Sequence, residues 1–171
     1  MSDERLAGRR QYELGRLPFV LLTIVLLLFL DQLTKAWAIS VLRESGPFVL
    51  FPGILEFLYT ENTGAAFGIL KGQQWFFYIA ACFVTVLLTV WILRLPKGRR
   101  SLPLMLDLML IIAGALGNVI DRLRFGYVVD FIYFKPIDFP VFNVADIYIT
   151  CGCAVLVLLM LFYDKDNELR V

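Results

Sequence analysis

The chain has no histidine, and only 18% of its 171 residues are charged. The first lack removes the commonest general base, together with Ser-His and Cys-His nucleophiles and His-ligated zinc. The second leaves too little polar surface to cover a soluble globule, because 60% of the residues are hydrophobic. Cysteine is scarce as well. Cys82, Cys151 and Cys153 all fall in apolar stretches, and an odd number there points to small apolar fillers rather than disulfides or metal ligands. The CxC at 151–153 has no partner ligands nearby, so no metal is expected. A net charge of +1, with basic residues not interleaved with aromatics, gives no nucleic-acid footprint.

What is present is a set of long apolar runs. A hydrocarbon layer of about 30 Å needs roughly 20 helical residues. Four stretches qualify, at about 17–39, 73–94, 102–124 and 143–163, and they leave little room for a soluble domain. Residues 1–171 therefore read as one integral membrane domain. Arg5, Arg9, Arg10 and Arg16 precede the first run, Arg94, Lys97, Arg99 and Arg100 fill the second connection, and Lys165 and Arg170 follow the last. The positive-inside rule then places both termini in the cytoplasm and turns the connections at 40–72 and 125–142 outward. No small-x-small cleavage pattern follows the first run before Lys35 and Trp37, so an uncleaved anchor is expected rather than a signal peptide.

Polar residues inside these runs need a reason to be there. Asp31 and Lys35, four apart on one helix face, are either an interfacial ion pair or something costlier. Asp31 sits on the order of 21 Å along its span, in the outer hydrocarbon, and Lys35 has the reach to snorkel to the interface. In the third run, Gly114, Asn118, Asp121 with Arg122, and Phe125 recur every three or four residues, and Gly117 adds a second small residue. The glycines alone suit close helix packing, whereas the attached polar groups need partners inside the bundle. Asp107, near the inner end of this run, is read as structural. Between Pro47 and Gly64, LEFLYTENTG alternates and predicts a strand pair ending in a turn at 62–64. An open strand edge cannot lie in lipid, so this piece must rest above the bundle or pair with something, and a peptide substrate is one candidate. YVVDFIYF, at 127–134, reads as a strand-like or interfacial segment with Asp130 among apolar neighbours. In FNVADI, Asn143 suits an N-cap and Asp146 the acid of a capping box. Capping would by itself explain Asp146.

Asp130 and Asp146 nevertheless bracket one loop on one membrane face. Two desolvated carboxylates held close together cannot readily both ionise, so one keeps a proton while the other accepts one from an attacking water. The helix N-terminus favours charge on Asp146 and leaves the proton more often on Asp130, although a shared proton leaves that order open.

The blocks DQLTK at 31–35, ENTGAAFG at 61–68, GALGNVIDR at 114–122, VVDF at 128–131 and FNVADI at 142–147 resemble the type II prolipoprotein signal peptidases, bacterial membrane aspartyl proteases. The resemblance spans nearly the whole chain in the family's order. It implies a membrane all-α fold, a four-transmembrane-helix bundle with a small extracytoplasmic β-sheet and an interfacial loop or helix over the site. It places the catalytic dyad on Asp130 and Asp146. Substrate-binding or supporting positions fall on Asp31, Lys35, Asn62, Gly64, Ala65, Phe67, Gly114, Gly117, Asn118, Asp121, Arg122, Asn143 and Ala145. The implied reaction cuts a prolipoprotein just before a diacylglyceryl-modified cysteine, without metal or organic cofactor. The implied partners are diacylglyceryl prolipoprotein signal peptides, membrane lipid and globomycin-type inhibitors, in the bacterial inner membrane. The competing reading is a small proton-coupled carrier or channel with Asp31, Asp121, Asp130 and Asp146 as its ion path. Against it, the polar residues cluster toward the outward half, the second and fourth runs offer no matching polar stations on the inward half, and no inverted repeat is visible. Rhomboid-like and presenilin-like proteases fail for want of histidine with GxSG and of GxGD.

Overall fold

The computed structural model describes residues 3–64, 72–96 and 98–163. The first helix, α1 (Asp3–Trp37), runs on through a π-helical turn at Ala38–Leu42 into α2 (Arg43–Ser45). This helical rod is longer than the span at 17–39. Nothing between Asp31 and Ser45 breaks it, and it stops only where Gly46 turns left-handed (φ 78°) ahead of Pro47. Two antiparallel strands follow, β1 (Phe48–Phe51) and β2 (Leu55–Asn62). Then come α3 (Gln74–Arg94), α4 (Leu102–Phe125), β3 (Val128–Phe134) and α5 (Val144–Leu158), the last continuing as a π turn to Tyr163. Four of these helical stretches are long and apolar enough to cross a membrane: Arg16–Ser45, Gln74–Arg94, Arg99–Phe125 and Val144–Phe162.

Helix α4 is the buried centre, packed against α1, α3 and α5. Its sequence supplies both limits: Pro103 lies in the first turn, and Gly126 at φ 80° donates its N–H to the Arg122 carbonyl and ends the helix. Leu88, Ile92, Leu104, Leu108 and Ile112 fill the half of the bundle remote from the sheet. The other helices turn Leu21, Phe29, Phe83, Val86 and Phe162 outward. An apolar exterior of this extent suits lipid rather than water. The three cysteines are free and sit on the exposed surfaces of the membrane-spanning helices.

The sheet has the order β1-β2-β3, so β2 is paired on both sides by the chain itself and needs no substrate to cover it. β3 lies over the end of the bundle, with Val129 and Phe131 packed on Ala38 and Leu42 and with Trp37 edge-on to Phe57 and Phe131. Strand alternation turns Asp130 to the opposite face, beside Val128, toward α4 and α5. Beyond β3 the chain doubles back. Phe142 exchanges backbone hydrogen bonds with Ile132 at 2.8 and 3.0 Å, which sets the start of α5 next to β3.

Candidate active site

Asn143 caps α5 as its sequence suggests: its Oδ1 accepts from the Asp146 N–H (3.0 Å) while Asp146 Oδ2 accepts from the Asn143 N–H (3.2 Å). The same asparagine does a second job. With Oδ1 committed to a backbone donor, its Nδ2 must point the other way, and it donates to Asp130 Oδ1 at 2.6 Å. Asn143 thus ties the two aspartates together from the side.

Two further asparagines are fixed in the same manner. Asn62, at the end of β2, accepts the Gly64 N–H on Oδ1 (2.9 Å), so its Nδ2 donates to Asp130 Oδ2 (2.8 Å). Asn118, on α4, accepts from Lys35 Nζ (3.0 Å) and from Asn143 Nδ2 (3.1 Å), so its Nδ2 donates to Asp146 Oδ1 (2.8 Å). Every oxygen of Asp130 and Asp146 therefore receives one N–H, and none of the three amides can flip without facing a donor with a donor. Asp130 is 1% exposed. Burial first, and then the nearby Asp146 carboxyl, push Asp130 up to about 7, against the pull of the Asn62 and Asn143 amides and of Lys35. Near neutral pH it therefore competes for a proton that an exposed aspartate would have lost.

Behind this pair lies a buried ionic cluster. Lys35 does not snorkel: it is 2% exposed and points into the bundle, 3.0 Å from Asp31 and 3.0 Å from Asp121. No local feature of α1 could show this, because Asp121 is carried by another helix. Each supporting acid grips the residue just before one of the candidate pair. Asp121 Oδ2 accepts the Val129 N–H (3.1 Å), and Asp31 Oδ1 accepts the Ala145 N–H (3.0 Å). Both grips keep buried backbone donors satisfied while fixing the backbone on which Asp130 and Asp146 ride.

Removing one of these acids strands its partners in a dry site. Asp121→Ala is expected to lower the thermal midpoint and turnover together, since Lys35, Gln32 and the Val129 N–H all lose an acceptor. Unchanged stability with lost turnover would refute a supporting role for Asp121.

Arg122 closes the side of the site, donating to the Gly64 carbonyl (2.9 Å) with its guanidinium 4.1 Å from the Phe77 ring centroid. Gly114 and Gly117 let α4 meet α5 and Asp31 closely. Phe125, by contrast, leaves the polar stripe, is 36% exposed and stacks on Tyr127. Ala65 and Phe67 lie outside the described residues. Gln32 escaped the sequence reading. It donates to Asp121 Oδ1 (2.9 Å) and Asp31 Oδ2 (3.2 Å), and the only hint was its place between Asp31 and Lys35.

The two carboxyl groups open onto a groove of 680 Å³. Ile111, Ala115 and Val119 of α4 form its floor, Phe77, Ala80 and Val84 of α3 one wall, and Ile149, Thr150 and Cys153 of α5 the other. Asn62, Gly64 and the segment Phe139–Phe142 frame the mouth. Polar groups crowd one end and apolar side chains line the rest. Among the described residues no cluster of acids or cysteines is arranged to hold a metal. Away from this end, Asp107 is buried where α4 meets α5 near Gly152, and its Oδ2 has no hydrogen-bond partner among the described residues.

Comparison with known proteins agrees with this architecture. The sequence pattern of the family described as Signal peptidase (SPase) II matches residues 23–162. A lipoprotein signal peptidase of Streptococcus pyogenes serotype M1 is 44% identical over 149 residues, covering 85% of this chain and 93% of the relative. That of serotype M5, strain Manfredo, is 43% identical over the same length. Two solved structures, both described as a bacterial membrane enzyme determined by the in meso method, superpose with TM-scores of 0.76 and 0.74 at 33% identity. The first covers 88% of this chain and 92% of the solved one, the second 85% and 94%. A helical bundle capped by a three-stranded sheet, and a sequence matching over most of its length, make this chain a member of the signal peptidase II family.

Proposed function

We propose that Asp130 and Asp146 hold one water between them and use it to cut a diacylglyceryl-modified prolipoprotein just before its modified cysteine. Membership of the family makes the chain an aspartic endopeptidase that removes signal peptides from prolipoproteins, in a multi-pass bacterial membrane setting. The observation that carries the finer reading is the set of amide donors on all four carboxyl oxygens. Those donors use one lone pair on each oxygen and leave the others free for a shared proton and a water.

In this mechanism the ionised carboxylate, Asp146, takes a proton as the water oxygen bonds to the scissile carbonyl carbon. Asp130 donates its proton to the carbonyl oxygen, and the tetrahedral species forms. In its collapse Asp130 takes back a hydroxyl proton as the carbonyl re-forms, the C–N bond breaks, and the proton that Asp146 took from water goes to the departing amine. Burial, which lifts Asp130 toward neutrality, supplies a protonated acid where an exposed aspartate would have none.

The groove supports the substrate class. Its apolar floor and walls suit a signal sequence or acyl chain, and the polar end then meets the peptide bond where lipid gives way to water. By the distribution of basic residues, the termini are cytoplasmic and this end faces outward. Globomycin-type cyclic peptides would occupy the same groove, and bilayer lipid would surround the helices. Asp107 is the one buried acid in the far half of α4, so the polar groups do not continue as an ion path through the bundle.

Cleavage of one precursor in lipidated and unlipidated forms by the purified enzyme tests the reading. Turnover is expected only, or at least 100-fold faster, with the diacylglyceryl form, roughly the share that remote binding energy supplies when an apolar anchor is lost. Equal rates on both forms would refute the assignment of the groove.

A further inference from the structure

We infer that Lys35 acts on the reaction through Asn118: its ammonium fixes the Asn118 amide so that the amide must donate to Asp146, making Lys35 a positioning residue for the water-activating carboxylate. This rests on the dyad reading above.

The argument is one of hydrogen-bond polarity. An ammonium offers only donors, so the Asn118 atom 3.0 Å from Lys35 Nζ must be the oxygen. The amide nitrogen is thereby turned to Asp146 Oδ1 at 2.8 Å. With a neutral residue at 35 the Asn118 oxygen would face one donor, Asn143 Nδ2, which already spends its shorter bond, 2.6 Å, on Asp130, and only the charged form of Asp146 would itself still demand an N–H from the amide. A cation on the carbonyl end also polarises the amide and strengthens the N–H it presents at the other end. The bond matters for chemistry because a donor aimed at a carboxylate favours its charged form, and Asp146 must be charged to accept the water proton.

An ion pair among Asp31, Lys35 and Asp121 would suffice if the cluster served only to hold helices together. The third contact of Lys35, to an amide that faces the reacting pair, goes beyond that need. The groups facing this unit are few. Asp31 and Gln32 come from α1, Asp121 and Arg122 from α4, Asp130 from β3, and Tyr148 of α5 lies within electrostatic reach of Asp31. Lys35 also exerts a direct field on Asp130, the weakest of the influences there. The test must separate that field from the relay.

The acidic limb of the pH profile of kcat reports the group that must be ionised in the bound complex. Full-length wild type, Lys35→Met, Asn118→Ala and the double variant would be assayed on lipidated precursor from pH 5 to 9. Lys35→Met is expected to lower kcat about 10- to 100-fold with KM within about twofold, and to move the acidic limb up by about one pH unit. Asn118→Ala should move it likewise, and adding Lys35→Met to Asn118→Ala should move it no further. A direct field would instead shift the limb equally in both backgrounds, which overturns the relay. An Asn118→Ala limb that coincides with wild type overturns it too, whatever the Lys35 variants do. Because Lys35→Met leaves two buried acids without a cation, Asp31→Asn/Lys35→Met/Asp121→Asn gives the same reading in a neutralised cluster. Turnover surviving in Asp130→Asn or Asp146→Asn would strike the dyad reading, whereas dead dyad variants with an unmoved limb strike only the relay.

Discussion

Asp146→Asn and Asp130→Asn should each reduce turnover of lipidated precursor by about 10⁴-fold or more, the upper end of what a positioned acid or base contributes. The chemistry alone predicts the loss, since an amide neither accepts a proton from water nor gives one to a carbonyl. The surroundings add a second cost. Asn62 and Asn143 both present N–H groups to Asp130, and neither amide can turn round because each accepts a backbone N–H on its oxygen. An asparagine at 130 must face one of them with its own NH₂. At 146 the same conflict arises between the Asn118 amide and the Asn143 backbone N–H. Retained turnover in either variant, measured on protein that melts cooperatively, would remove that residue from the mechanism.

The same substitution carries a pH signature. Asp130 releases its proton near 3.8 when unfolded but keeps it to about 7 in the fold. Between those values the native state binds more protons than the unfolded chain, so stability falls as pH rises. The contribution is fully present below the unfolded value and is lost as pH climbs through about 7. Asp130→Asn has no proton to lose. Its thermal midpoint relative to wild type should therefore improve from pH 5 to pH 8, even though the donor conflict lowers both values.

Much of this arrangement is readable in the sequence, and the reason is solvent. Lipid demands long apolar runs, so the helices stand out in composition, and any acid within or beside them draws notice. Asn143 and Asp146 were legible as a cap because capping is local in sequence. The second use of Asn143, the donation to Asp130, was not, for it depends on the Phe142–Ile132 bridge folding the loop back. Lys35 shows the limit best. Its spacing from Asp31 gave the shared face but not whether that face meets lipid or protein, and its other partners, Asn118 and Asp121, lie on α4. Gln32 was overlooked for the same reason. Apolar length at 17–39 marks what lipid can cover rather than where the helix ends, and the helix runs on to Ser45 because nothing before Gly46 and Pro47 breaks it.

Gly114→Ala is expected to lower cleavage on the order of 100-fold and to reduce the yield of folded protein, whereas Gly152→Ala, at the same helix pairing, should cost stability while keeping most of the turnover. Both glycines sit where α4 meets α5, and a stripe of small residues alone would rank them equally. What the added methyl meets is different. At Gly114 a Cβ falls 2.5 Å from the Ala145 carbonyl oxygen and 3.1 Å from the Tyr148 Cβ, atoms of the α5 backbone or fixed rigidly to it. Relief requires α5 to slide or tilt away at its first turn, which carries Asn143 and Asp146 with it. A displacement of about 1 Å at a reacting group is enough to cost on the order of 100-fold in rate. At Gly152 the nearest atom, at 2.5 Å, is Cγ1 of Ile111, a buried β-branched side chain of α4 that moves only by a χ1 turn a helix disfavours. That clash costs the roughly 1–3 kcal/mol typical of overpacking, but it lies more than a turn beyond Asp146 and bears on stability before it bears on the site. Cleavage rates and thermal midpoints of the two variants, measured side by side, decide the matter. Equal turnover in the two variants would mean that the position of Asp146 is not held by close contact at Gly114.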